Sequence, residues 1–215
     1  MGKFFDYFDS RFILKRPHKY FLERTLPQNL NYFYCFGGIT FVLFLVLLFT
    51  GIMLSVYYIP SENHAYQSIR YIDGKVYLGW LIKSLHKWSA NLMVICILIH
   101  MLRVFVTGSY KKPRELNWIA GSLLLIITLG FGFTGYLLPW DQKAYWATVV
   151  GASMAGTVPL IGPYLSALLR GGPDVNGLTL LRFYSFHVLW LPLISLVFLW
   201  AHFHMIRQQG ISGGL

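Results

Sequence analysis

The chain has 215 residues, of which 56% are hydrophobic, 18% aromatic and only 12% charged. Soluble domains carry about a quarter of charged residues, so this composition excludes an ordinary water-soluble protein and indicates one that lies in a membrane. The net charge of +10 does not indicate nucleic-acid binding, because the basic residues lie at the ends of apolar segments rather than on one polar domain. No cleavable signal sequence is expected, since the N-terminal arm is basic and has no long apolar segment.

Four segments are long and apolar enough to cross a bilayer about 30 Å thick. The fourth contains Pro192, which is expected to kink its helix. The residues between the first and second segments are read as a loop. The four predicted spans comprise residues 32–59, 78–106, 116–138 and 183–206.

A fifth uncharged stretch, residues 144–169, lies between the third and fourth spans. It contains Pro159, Pro163 and several glycines, which argue against a straight helix exposed to lipid. We therefore expect short interfacial helices on one membrane surface. The alternative is a fifth span, which would reverse the last helix and move Arg207 to the opposite side.

The distribution of basic residues favours one orientation. With four spans, 11 of the 18 Lys and Arg residues share the side of both termini. The positive-inside tendency places that side in the cytoplasm or its equivalent. Six of these 11 basic residues lie in the N-terminal arm, residues 1–30. The other five are Arg103, Lys111, Lys112, Arg114 and Arg207.

Four histidines lie inside the predicted spans, where an ionisable side chain is costly and indicates function. His86 and His100 are 14 residues apart in the second span, and His187 and His202 are 15 apart in the fourth. Each interval is close to four helical turns, so each helix presents two imidazoles on one face, about 21 Å apart in depth. Because both helices run in the same direction, His86 is expected to pair with His187 near the outer face. His100 is then expected to pair with His202 near the inner face.

The ligand count favours haem over a bare metal ion. Bare zinc or copper sites usually need three or four protein ligands, whereas only two histidines meet at each level and the spans contain no acidic residue. A macrocycle supplies four further nitrogens, and two axial imidazoles leave no open iron position, which favours electron transfer over oxygen chemistry. The alternative is a transporter or structural subunit whose histidines only form hydrogen bonds between helices.

Glycines on the other two spans repeat the histidine interval. Gly37 and Gly51 on the first span are 14 residues apart, as are Gly121 and Gly135 on the third. The missing Cβ lets a backbone approach a flat ring closely, although glycine is common in membrane helices for other reasons. These four glycines are predicted to pack against the haems.

Haem propionates require cations near the membrane surfaces. Lys83 lies one turn before His86, and Arg103 lies three residues after His100. Both are expected to contact propionates, with Arg207 as a further candidate, although basic residues at these depths also extend towards the headgroups without any ligand.

The local sequence resembles cytochrome b of the quinol-oxidising bc and b6f complexes, in addition to the histidine spacing. The length and the ending resemble those of the short split form, cytochrome b6. The resemblance covers essentially the whole chain and rests on these strings: NYFYCFGG at 31–38, SLHKWSAN at 84–91, YKKPRELNW at 110–118, GFTGYLLPWDQ at 132–142 and RQQGISGGL at 207–215.

The resemblance implies an all-α membrane protein in which residues 1–215 form one transmembrane domain. Four helices would bind two stacked b haems, with interfacial helices between the third and fourth. It implies a redox subunit that is inactive alone and passes electrons from quinol oxidised at the outer face to quinone at the inner face, coupled to proton translocation. The implied partners are a subunit IV-like protein, a Rieske iron–sulfur protein and a c-type cytochrome, in a dimeric complex.

The resemblance also implies residues of the outer quinol site, with Tyr136, Pro139 and Trp140 closest to the quinol. In this family a PEWY segment completes that site, and the string is absent from this chain, which agrees with a separate partner subunit. A dihaem membrane anchor of a dehydrogenase or hydrogenase is the alternative, but such anchors lack the GYLLPWD string. The quinol oxidised there would be a menaquinol or a plastoquinol.

Cys35 has two interpretations. Composition favours an inert thiol, and the chain has no C-x-x-C-H signature for haem attachment. However, NYFYCFGG is similar to the cytochrome b6 segment whose single cysteine holds a c-type haem by one thioether. The resemblance therefore implies a third, covalent haem on Cys35 at the inner level, with Arg207 as a candidate propionate partner. Lys83 and Lys87 depart from the family, since photosynthetic members usually have arginine there and lysine cannot form a bidentate contact.

Overall fold

The computed structural model describes residues 31–210. The basic N-terminal arm and the last five residues of the RQQGISGGL string lie outside this range. The described residues form eight α-helices and no β-strand. A 3₁₀ turn over Tyr32–Cys35 precedes the first helix, and a π-helical turn over Phe186–Trp190 joins the last two. The helices are α1 (Phe36–Ser55), α2 (Ala65–Gly74), α3 (Gly79–Val106), α4 (Glu115–Leu137), α5 (Gln142–Gly156), α6 (Gly162–Arg170), α7 (Gly177–Ser185) and α8 (Leu191–Gln209).

Four helical segments of the described chain are long and apolar enough to cross a membrane, as the sequence predicted. The first ends at Ser55 rather than at residue 59. Pro60 disfavours helical backbone in the residue before it, Ile59, and the three residues between Ser55 and Ile59 are also not helical. The fourth begins six residues earlier than predicted. There Asn176 forms a capping box with Thr179, which satisfies backbone groups at the helix start. The four segments are Tyr32–Ser55, Gly79–Val106, Glu115–Leu137 and Gly177–Gln209.

The stretch between the third and fourth spans forms two short helices, as expected, and not a fifth span. The longer of them, α5, has 15 residues and is therefore only about 23 Å long, too short for the hydrocarbon core. Asp141 caps its start by accepting a 2.8 Å hydrogen bond from the backbone N–H of Ala144. Both α5 and α6 pack near the end of the bundle that is opposite residues 31 and 210, and "outer" denotes that end from here on.

The interpretation of residues 61–77 as a loop was wrong, because they contain α2. This helix buries Ala65, Ser68 and Ile72 on one face and packs against α3. It exposes Tyr66 and Tyr71 on the other face. Its sequence is only half apolar, so a search for long apolar segments does not detect it, whereas its helical periodicity does indicate an interfacial helix.

The spanning helices form two layers. In one layer α1 packs along α3, and in the other α4 packs along α8, while direct contacts between the layers are sparse. At the outer end a small buried core closes the space between the layers, and it includes Leu137, Leu180 and Phe183. The separation of the layers leaves room along the axis of the bundle for a large group.

The irregularity expected at Pro192 is a π-helical turn in the residues just before it. Pro192 has no N–H to donate to the carbonyl of Val188, so the last turn before it is free to widen. His187 lies within this π turn. Turns of this kind are rare and are frequent at functional sites.

Candidate functional site

The structure brings His86 and His187 together at the outer level, between the two layers. Their ring centroids are 6.3 Å apart and the rings are inclined by 64°. One metal atom bonded to both imidazoles, at about 2 Å from each nitrogen, requires a centroid separation of about this size once the ring radii are added. The pair therefore fits two axial ligands of a single metal.

The π turn explains why the two histidine intervals differ by one residue. A π-helical turn holds one residue more than an α-helical turn, because its hydrogen bonds run from i to i+5 rather than to i+4. The 15-residue interval from His187 to His202 is therefore equivalent to 14 residues of regular helix. It matches the interval from His86 to His100 on α3.

Threonine hydroxyls fix both outer imidazoles. Thr50 Oγ1 lies 2.8 Å from Nδ1 of His86, and Thr134 Oγ1 lies 3.0 Å from Nδ1 of His187. The Thr50 hydroxyl donates to the carbonyl of Val46 at 2.7 Å, and that of Thr134 to the carbonyl of Gly130 at 2.8 Å. Each threonine oxygen therefore accepts a hydrogen bond from Nδ1–H, which leaves the Nε2 lone pair free to bind a metal. These threonines were not predicted from the sequence.

Each of the four predicted glycines faces one of the four histidines. A Cβ added at Gly135 would lie 2.6 Å from Cε1 of His187, and one at Gly37 would lie 2.9 Å from Cε1 of His100. The corresponding distances are 3.4 Å from Gly51 to His86 and 3.4 Å from Gly121 to His202. The glycines therefore allow the imidazoles to lie against the neighbouring helix of the same layer.

His100 and His202 line a single cavity of about 280 Å³ at the inner level, together with Gly37 and Gly121. The Nδ1 atoms of both histidines are buried and form no hydrogen bond within the described chain. The cavity is mostly apolar, and it lies between α1, α3, α4 and α8.

Buried polar atoms without partners occur at the inner end of this cavity. They are Nε of Arg103, Nε of Arg114 and Oδ1 of Asn117, among residues 31–210. The Arg103 guanidinium lies over the ring of Tyr34, 4.4 Å from its centroid. Buried polar groups are nearly always hydrogen-bonded, so the two Nε–H donors fit a ligand that carries carboxylates, whereas the Asn117 oxygen can only accept a hydrogen bond. Arg114 and Asn117 were not singled out in the sequence, although both belong to the YKKPRELNW string.

The donor set excludes an ordinary metal site and fits haem. Residues 31–210 contain no group of three or more His, Cys, Asp or Glu side chains that could hold a bare metal ion. Two imidazoles at each level, the gap between the layers and the unpartnered guanidinium atoms together fit a planar tetradentate group with anionic substituents.

The other predicted site residues lie as follows. Lys83 forms an ion pair with Asp73 of α2, a partner that the sequence did not indicate. Arg207 lies in the last turn of α8. Cys35 is exposed at the start of α1 and two residues before Gly37, whereas Cys96 is buried within α3.

The outer segment after α4 contains the predicted quinol-site residues. Tyr136 is exposed, Pro139 is partly buried, and Trp140 adopts a left-handed backbone with φ of +52°. The Trp140 ring contacts that of Tyr145 edge to face at 5.9 Å. Tyr58, three residues after the first span ends, donates a hydrogen bond to the carbonyl that precedes Pro139.

These features define a four-helix membrane protein with two stacked bis-histidine levels. The model of the Cytochrome b/b6/petB family matches residues 21–210, and the chain therefore belongs to the cytochrome b/b6 family. It is similar to cytochrome b6 of Cyanidium caldarium, with 47% identity over 100% of both chains, and to that of Tupiella akineta, with 46% identity over 100% of both.

The fold agrees with a solved structure titled "Hyperthermophilic respiratory Complex III", with a TM-score of 0.88 and 32% identity. That match covers 96% of this chain and 55% of the other, so the chain spans about half the length of that structural relative. Family membership makes the chain an integral, multi-pass redox subunit of a quinol oxidoreductase. The prediction of the family is thereby confirmed, and the dehydrogenase-anchor alternative is not favoured.

Proposed function

We propose that the chain conducts electrons across the membrane between its two histidine levels. Electrons would enter from quinol oxidised at the outer face and leave to quinone at the inner face, coupled to proton translocation. The observation that carries this proposal is the pairing of His86 with His187 between the two helix layers, at 6.3 Å. His100 and His202 line a cavity at the inner level, on the same two spans.

Each level would hold one b-type haem through its two histidines. When bound, haem supplies reversible one-electron transfer at its iron. With two imidazoles bound at each level, no ligand position would remain for oxygen, which favours electron transfer. Arg103 and Arg114 would neutralise carboxylates at the inner level, where their Nε atoms are buried without partners in the described chain.

Residues of this chain must also create a difference in potential between the levels. Moving an electron across the whole membrane against the transmembrane potential costs about 2.3 kcal/mol per 100 mV. The chain can supply that energy only by making the outer level a stronger reductant than the inner one. Hydrogen bonds to the ligands, burial and nearby charge are the available means.

We further propose that Cys35 carries a third haem. Its thiol would add across a vinyl group of the haem, so that one thioether forms and the thiol proton moves to the adjacent carbon. Cys35 is exposed and lies two residues from Gly37, which packs against His100. The thiol is therefore close to the inner level, and Arg207 of the last turn of α8 remains a candidate partner for a propionate.

The outer quinol site would include Tyr136, Pro139 and Trp140. The PEWY string is absent from the sequence, so a subunit IV-like partner would complete the site. One electron of each quinol would enter this chain. A Rieske iron–sulfur protein and a c-type cytochrome would accept the other electron of the quinol, in a dimeric complex. By the positive-inside tendency, both termini would face the bacterial cytoplasm or the stroma around a thylakoid.

A reduced-minus-oxidised spectrum of the purified complex tests the proposal. Two b haems per chain that are reduced by quinol are expected, and their reduction should respond to inhibitors of the outer site. A chain that assembles in the membrane without any b-haem absorbance would contradict it, as would haems that quinol does not reduce.

A further inference from the structure

Two Thr–Gly dipeptides flank the outer histidines. In Thr50–Gly51 and in Thr134–Gly135 the glycine packs against an imidazole ring, and the threonine oxygen binds Nδ1 of that same ring. The two hydrogen bonds, at 2.8 and 3.0 Å, link helices within each layer. The outer level therefore has the same hydrogen-bonded support on both sides.

The inner level lacks this support. The residues before its two glycines are Phe36 and Ala120, and neither side chain can accept a hydrogen bond. Nδ1 of His100 and Nδ1 of His202 are both buried without a hydrogen bond inside residues 31–210. The carbonyl of Asn117 approaches His202 but does not meet hydrogen-bond geometry.

We propose that Thr50 and Thr134 are positioning residues that lower the reduction potential of the outer level relative to the inner level. An imidazole whose Nδ1–H donates to an oxygen becomes a more basic ligand through Nε2. A more basic ligand stabilises the oxidised, more positive metal over the reduced one. The inference rests on the proposed haem ligation by His86 and His187.

A lower reduction potential at the outer level agrees with electron transfer from the outer level to the inner level. Lowering the outer potential makes that level the donor and the inner level the acceptor. The cationic side chains at the inner level, Arg103 and Arg114, act in the same direction by favouring the reduced state there. Substitution of the threonines leaves these charges unchanged, so it isolates the contribution of the two hydrogen bonds.

Spectroelectrochemistry of the intact complex tests the proposal, with Thr50→Val and Thr134→Val combined. Valine keeps the shape of threonine and removes the acceptor oxygen. We expect the outer potential to rise by about 59 mV, which is a tenfold change in the one-electron equilibrium between the levels. The inner potential should remain unchanged. The combined variants Thr50→Ser and Thr134→Ser retain the hydroxyls and should retain the wild-type difference.

A gain-of-function variant keeps the test decisive if the valine protein does not assemble. Ala120→Ser places a hydroxyl before Gly121, at the position that corresponds to Thr134 before Gly135. Ala120→Ser should lower the reduction potential of the inner level and so narrow the difference in potential between the two levels. Unchanged outer potential in the valine variant, or unchanged inner potential in Ala120→Ser, with both haems bound, would overturn the inference. A wild-type protein without b haems would instead refute the proposed function.

Discussion

The phenol of Tyr58 donates a 2.6 Å hydrogen bond to the carbonyl oxygen of Leu138. This contact joins the chain just after the first span to the segment that carries Pro139 and Trp140. Tyr58 is only 8% exposed and stacks on Tyr184, with ring centroids 5.4 Å apart. Burial, with a smaller contribution from Tyr184, raises the pKa of Tyr58 well above its ordinary value, so the phenol remains a hydrogen-bond donor at physiological pH.

Replacing Tyr58 with Phe should therefore loosen the outer segment without removing any proposed ligand. The carbonyl of Leu138 loses its donor in a partly buried position, at a cost of about 1–3 kcal/mol. We expect weaker binding of an outer-site inhibitor, by about fivefold or more, and unchanged b-haem content. Tyr57→Phe is the matched control, because Tyr57 is exposed. Equal inhibitor affinity in the two variants would show that the bond does not shape this site.

The four glycines should differ in their tolerance of alanine. A Cβ at Gly135 would lie 2.6 Å from the His187 ring, whereas one at Gly51 would lie 3.4 Å from the ring of His86. Overpacking of this kind typically costs about 1–3 kcal/mol. We expect Gly135→Ala to reduce haem occupancy at the outer level several-fold, and Gly51→Ala to retain most of it.

Alanine substitutions at the two glycines of the inner level should also differ in their effect. Gly37→Ala brings a Cβ to 2.9 Å from the His100 ring, and Gly121→Ala brings one to 3.4 Å from that of His202. Absorbance of the purified complexes, resolved by redox potential, measures occupancy at each level. An order of tolerance opposite to these distances would contradict the packing described here.

The ion pair between Asp73 and Lys83 should affect the reduction potential of the outer level, although it stabilises the fold only weakly. Both side chains are partly exposed, so the pair contributes no more than about 1 kcal/mol. Asp73→Asn removes the negative charge and leaves Lys83 unneutralised, three residues before His86. We expect a higher outer potential by spectroelectrochemistry, whereas Asp73→Glu should preserve the wild-type value. A lower or unchanged outer potential in Asp73→Asn would indicate that Lys83 does not act on this level.

The covalent haem proposed on Cys35 has a direct test. Peroxidase staining after denaturing electrophoresis detects haem that remains attached to the chain. We expect staining of the wild type and of Cys96→Ser, and none of Cys35→Ser, which should still contain both b haems. An unstained wild-type chain, or a stained Cys35→Ser chain, would refute the attachment.

The sequence predicted most of the architecture because the relevant signals are local. Long apolar stretches predict the four spans, and the 14- and 15-residue intervals bring His86 opposite His187. The π turn that reconciles the two intervals was not predicted, although Pro192 suggested an irregularity nearby. It depends on how the fourth span packs as well as on the missing N–H of proline.

The contacts that the sequence did not reveal are mostly between distant residues. Thr50 bonds to a histidine 36 residues away, and Thr134 to one 53 residues away. A threonine within a membrane helix usually bonds to its own backbone, so it attracts little notice. Its repeated position before Gly51 and Gly135 was the available signal.

The four histidines form two separate levels, and each level is proposed to hold its own haem. Redox potentiometry of the b-haem absorbance in single alanine variants tests it most directly. We predict that His86→Ala and His187→Ala each remove the same one of two redox transitions, and that His100→Ala and His202→Ala each remove the other. His204→Ala, which alters an exposed imidazole stacked on Trp200, should retain both. Two intact transitions in any of the four ligand variants, or a different pairing of losses, would show that the histidines do not form these two pairs.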